Sequence, residues 1–179
     1  MLTINIAGRD LFNEQTNEFI RIEPTVLRLE HSLVSLSKWE SKWKKPYLVK
    51  TPEKTTEEAI DYIRCMTITQ NVNPLVYYAL SKENLEDIQQ YINDPMSATT
   101  FSDTSKPSRE IITSELIYYA MFANNVPLEC QKWHLNRLLN LLHIFSIKNQ
   151  PDKKMSKAQI MERNRALNEA RKAKLKTKG

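Results

Sequence analysis

A chain of 179 residues with 41% hydrophobic and 26% charged side chains is long enough to bury a core without disulfide or metal staples, which excludes a disordered chain. Only two glycines occur, Gly8 and Gly179, so Walker, Rossmann and GxSxG sites, which need glycine for close backbone approach, are excluded. The net charge of +5 divides unevenly. Residues 149–179 hold ten basic side chains against three acidic ones, net +7, and the other 148 residues hold 16 against 18, net −2.

LTINIA opens the chain with Leu2, Ile4 and Ile6 on one face, the period-two pattern of a strand. EFIRIEPTVLRLE alternates again through Phe19, Ile20, Ile22, Val26, Leu27 and Leu29, with Pro24 marking an edge or a break. The two stretches predict a small two-stranded hairpin joined through GRDLFNEQTN and packed on helices. Leu33, Leu36, Trp39 and Trp43 then recur at helical spacing, predicting an amphipathic helix that ends before Pro46, with Lys38, Glu40, Lys42 and Lys44 off that line.

TPEKTTEEAIDYIRCMTI predicts a helix capped by Thr55 or Thr56, with Glu57 and Glu58 at the positive end of its dipole. PLVYYAL is a shorter apolar piece, and SKENLEDIQQYIN predicts a helix opening at Ser81 or Lys82 and stopping before Pro95. MSATTFSDTSKPSR reads as a loop. Pro107 and Ser108 introduce REIITSELIYYAMFANN, apolar nearly all round and therefore expected to be deeply buried. A helix from near Pro127, with a stripe of Leu135, Leu138, Leu139, Leu142 and Phe145, is expected to pair with it as an antiparallel hairpin forming the core. After the linker NQPDKKMS, KAQIMERNRALNEARKAKLK has strong helix formers but a sparse apolar line, so its helicity is conditional.

The expected fold is mainly α, with a small N-terminal β element (1–29), a helical domain (30–148) and a basic, partly helical or disordered tail (149–179). Two cysteines, no secretory leader pattern and no run of eighteen apolar residues predict a soluble protein of a reducing, cytoplasmic setting without membrane contact. Cys130 and His134 share a predicted helical face, but Cys65, His31 and His143 lack ligand spacing, so no metal site is assigned. Adjacent carboxylates, Glu57/Glu58 and Glu86/Asp87, are expected to be solvated. No catalytic, cofactor or metal residues are assigned, and the expected class is a non-enzymatic interaction protein.

Two surfaces carry that expectation. Trp39 and Trp43, with Tyr47 beside them, stack on bases of single-stranded nucleic acid, line a protein-binding groove, or bury on a neighbouring helix under lysine stems; burial is the favoured reading. Trp133 is a further protein-contact candidate. The basic tail, through Lys153, Lys154, Lys157, Arg163, Arg165, Arg171, Lys172 and Lys174, either neutralises phosphates or folds on a protein partner. It carries no interleaved aromatics for base stacking.

The blocks HSLVSLSKWESKWKKPYL, SKENLEDIQQYIN, PSREIITSELIYYAM, NNVPLECQKWHLNRLLNLLHI and KMSKAQIMERNRALNEARKAKL together resemble tailed-phage tail assembly chaperones encoded near the tape measure gene. The likeness spans most of residues 29–175, and ECQKWHLNRLL is its most distinctive run. It implies a non-enzymatic factor of the host cytoplasm that binds the tape measure protein, keeps it soluble and helps recruit tail tube subunits. The alternatives are a virion structural or connector protein, and a nucleic-acid-binding phage protein acting through the tail.

Overall fold

The alternating N-terminal stretches form strands, and there are more of them than the pattern suggests. A computed structural model describes residues 1–13, 17–49, 51–99, 111–149 and 157–175. Strand β1 (Leu2–Ile6) pairs antiparallel with β4 (Thr25–Leu29), with Ile4 opposite Leu27. Nested between them, β2 (Arg9–Asn13) pairs with β3 (Glu18–Ile22), with Phe12 opposite Phe19. The expected connection GRDLFNEQTN thus contains a strand of its own. Its single inward apolar residue, Leu11, is too little to set a visible period, and pairing with β3 supplies what patterning lacks. Pro24 falls in the break between β3 and β4. Gly8, between β1 and β2, lies close against this break: a Cβ there would stand 3.0 Å from Pro24 Cδ and 3.1 Å from the Ile22 carbonyl oxygen, so a side chain would push on both.

Helix α1 (Leu33–Trp43) begins at Ser32, whose side chain and that of Ser35 cap each other's backbone N–H, and ends at Lys44 in the left-handed region with φ 56°. The same reciprocal device opens α2 (Thr56–Met66) through Thr55 and Glu58, and α3 (Lys82–Asn93) through Ser81 and Asn84. Between α2 and α3, the PLVYYAL piece is a 3-10 helix, Pro74–Ala79. Helix α4 (Ser114–Ala123) is capped by Thr113. A 3-10 helix, Leu128–Lys132, precedes α5 (Leu135–Lys148), and α6 spans Lys157–Leu175. The fold is mainly α with a minor β element. The expected helix start at Pro107 and Ser108, and the loop beyond Thr99, lie outside the described residues.

The chain divides into two compact units, Met1–Phe145 and Ser146–Gly179. In the first, α1 is the shared spine of two apolar clusters. Ile4, Ile6, Ile22, Leu27 and Leu29 of the strands close over Trp39, Tyr62, Met66 and Ile88 in one cluster. Leu33 and Leu36 join Ile117, Met121, Leu135 and Leu138 in the other. The core is therefore built around α1 rather than on a hairpin of the last two long helices. The expected helix from Pro127 is also interrupted. Trp133 is extended, His134 bridges to Ser32, and the Leu135 N–H donates to the His31 carbonyl at 2.8 Å. Tertiary hydrogen bonding at the start of α1 overrides a locally helical sequence.

Candidate functional site

Trp39 lies inside. Only 1% of its surface is exposed, and its indole Nε1 donates to the Glu58 carbonyl oxygen at 2.9 Å. Trp43, one turn on and half-buried, stacks on it at 6.1 Å between ring centroids and donates from Nε1 to Asp61 Oδ2 at 2.8 Å. Tyr47 packs edge-on against Trp39 at 5.0 Å and stacks on Tyr62 at 3.7 Å. The lysines beside the tryptophans have a structural use, since Lys42 Nζ bonds Asp61 Oδ1 and Lys45 Nζ bonds Glu58 Oε1. The Lys45 hydrogen bond, with the Thr55 N–H, holds the Glu58 carboxyl below its ordinary range. Burial pushes Asp61 up, but the hydrogen bonds from Lys42 and Trp43 and the charges of Lys42 and Arg64 outweigh it, so its pKa is lowered too. This corner of the molecule is an aromatic and ionic core, with Trp43 and Tyr47 half-buried at its edge.

Glu40 ties three segments together. It is buried, Oε1 accepts from the Tyr47 N–H at 2.9 Å, and Oε2 accepts from the Ser114 N–H at 2.7 Å. Ser114 is the first residue of α4, so the carboxylate sits at the positive end of that helix. Glu40→Gln is expected to cost about 1–3 kcal/mol, because the amide nitrogen of glutamine cannot accept and one buried N–H loses its partner. Urea unfolding monitored by tryptophan fluorescence measures it; an unchanged midpoint would contradict this role.

The histidines do not form a ligand set. Cys130 is buried in a 3-10 turn and His134 follows the extended break, so the four-residue helical spacing is lost. Among the described residues no group of three or more His, Cys, Asp or Glu is placed to hold a metal. His134 instead donates from Nε2 to the Tyr91 carbonyl at 2.9 Å, and its ring stands 5.0 Å from that of His31. His31 is buried, with Nδ1 2.6 Å from the Tyr62 hydroxyl. Burial, reinforced by His134, lowers the His31 pKa to about 3; burial also lowers that of His134. Of the paired carboxylates, Glu58 is turned inward, whereas Glu57, Glu86 and Asp87 are exposed.

Sequence reasoning missed an exposed apolar surface of the first unit. Helix α4 buries Ser114, Ile117 and Met121 against its neighbours, but Leu116, Tyr119 and Phe122, on the opposite side, are 39%, 71% and 62% exposed. The expectation of deep burial is corrected: only one face of α4 is covered. Ile111 and Ile112, just before the helix, are also exposed. The all-round apolar composition was the available signal, and it describes a helix with two apolar faces as well as a buried one. Trp133 is half-buried beside the second cluster, with the Arg137 guanidinium over its ring at 4.2 Å.

Of the basic-tail residues, Lys157, Arg163, Arg165, Arg171, Lys172 and Lys174 lie on α6, whose described side chains are all exposed. Lys153 and Lys154 lie outside the described residues. Among the described residues no helix is long and apolar enough to cross a membrane. Compared with family models, curated proteins and solved structures, the chain matches none.

Proposed function

We propose that this chain is a tail assembly chaperone of a tailed phage, a non-enzymatic protein of the host cytoplasm that binds the tape measure protein and assists assembly of the tail tube around it. The observation that carries the reading is the uncovered face of α4, Leu116, Tyr119 and Phe122, with Ile111 and Ile112 leading into it. All of it except Phe122, the next residue in the chain, falls within one of the blocks that resemble such chaperones, PSREIITSELIYYAM. A long, helix-rich client needs its apolar stripes masked until the tube forms, and a helix presenting apolar side chains three residues apart can take an amphipathic client helix against it. The face is held in place by α1, whose Glu40 anchors the first turn of α4.

Burying Tyr119 and Phe122 on a client contributes about 3–5 kcal/mol together. The double substitution Tyr119→Asp and Phe122→Asp is expected to weaken binding of a helical tape measure segment at least about 100-fold in isothermal titration. Helix content and melting temperature should stay near wild type, because both side chains already face solvent. Wild-type affinity in the double variant would overturn the assignment of this face.

A further inference from the structure

Helix α6 distributes its charge by side. Ala158, Glu162, Ala166, Glu169 and Ala173 recur at spacings of four, four, three and four, which gathers both acidic residues and three alanines in one line. Opposite that line run Lys157, Ile160, Asn164, Asn168, Arg171 and Leu175, again at helical spacing. Arg163 and Lys174 flank that row on one side, and Arg165 and Lys172 flank it on the other. Arg165 also reaches Glu169 at 3.3 Å. The helix therefore presents a half-cylinder of six cations with two carboxamides along its middle and the exposed Ile160, Met161, Leu167 and Leu175 between them, about 28 Å long at 1.5 Å per residue.

We infer that α6 is a binding helix for duplex DNA, its flanking cations on the phosphates of the two strands and Asn164 and Asn168 toward the groove floor. The charge complementarity selects a polyanion. The central amides, which offer both donor and acceptor to base edges, select one whose groove admits a helix. The major groove of B-form DNA does so and that of A-form RNA is too narrow. Single strands are disfavoured because α6 has no aromatic residue on which a base could stack. This activity is separate from client binding, which uses α4.

The test is fluorescence anisotropy of a labelled DNA duplex of random sequence titrated with the full chain over a salt series. With the six cations Lys157, Arg163, Arg165, Arg171, Lys172 and Lys174 engaged, the logarithm of affinity should fall against the logarithm of salt with a slope near −5. Arg163→Glu with Arg171→Glu should abolish binding, whereas Asn164→Ala with Asn168→Ala should weaken it about tenfold with the slope kept. Polyglutamate and double-stranded RNA should compete poorly, and the Tyr119→Asp, Phe122→Asp chain should bind DNA as wild type does. Absence of binding at low salt, retention in the charge-reversed variant, or equal competition by polyglutamate or double-stranded RNA would overturn the inference.

Discussion

Trp39→Ala is expected to destabilise the first unit by about 3–5 kcal/mol, the range for removing a large aromatic from a packed core. The side chain is 1% exposed and wedged between Trp43 and Tyr47, and its removal also strips the Glu58 carbonyl of its indole donor. For a chain of this size the loss corresponds to a fall in melting temperature of roughly 10 °C. Trp43→Ala should cost less, because Trp43 is only half-buried, though it leaves Asp61 without one of its two main donors. Thermal unfolding followed by circular dichroism separates the two readings of the pair. A Trp39→Ala protein that melts like wild type but no longer binds a client would make the tryptophan a clamp instead of a core residue.

Acidification from pH 7 to about pH 4.5 is expected to remove roughly 2–3 kcal/mol of stability through His31. Its folded pKa is lowered to about 3, so the unfolded chain takes up the proton first as pH falls below the ordinary histidine value near 6.5. The stabilisation is thus fully present above that value and is lost progressively as pH drops toward 3. His134, lowered as well, adds loss in the same window. Glu58 and Asp61 act later: their folded pKa values are lowered, so their contribution is present above the ordinary carboxylate range and declines below it. His31→Gln should reduce stability at pH 7, by disturbing the contact with the Tyr62 hydroxyl, and flatten the profile between pH 6.5 and 4.5. Urea midpoints at several pH values measure both. A wild-type profile that is already flat in this window would mean that His31 is hydrated and not held neutral by burial.

Local signals carried much of the architecture. Thr55 and Ser81, each one of two start positions read from the sequence, do cap α2 and α3, and the spacing of Leu33, Leu36 and Trp39 marked a helix face that is indeed buried. That spacing says nothing of what covers the face, so the division of α1 between two clusters, Leu33 and Leu36 in one and Trp39 in the other, was not legible. Strand β2 escaped notice because its stability comes from partners five to thirteen residues away. The break at Trp133 and His134 depends on hydrogen bonds to residues about a hundred positions earlier, which no window of local sequence contains. The same limit hid the candidate site. An apolar helix looks alike whether one side or all sides are covered, and only the packing on α1 distinguishes the inward Ile117 and Met121 from the outward Tyr119 and Phe122.

Co-expression with the phage tape measure protein, scored by the fraction of that protein recovered soluble and bound to the tagged chain after nuclease treatment, tests the proposed function most directly. The account predicts that the tape measure protein aggregates alone, stays soluble and co-purifies with the wild-type chain, and returns to the pellet with the Tyr119→Asp, Phe122→Asp variant. A tape measure protein that is equally insoluble with and without the wild-type chain would contradict it.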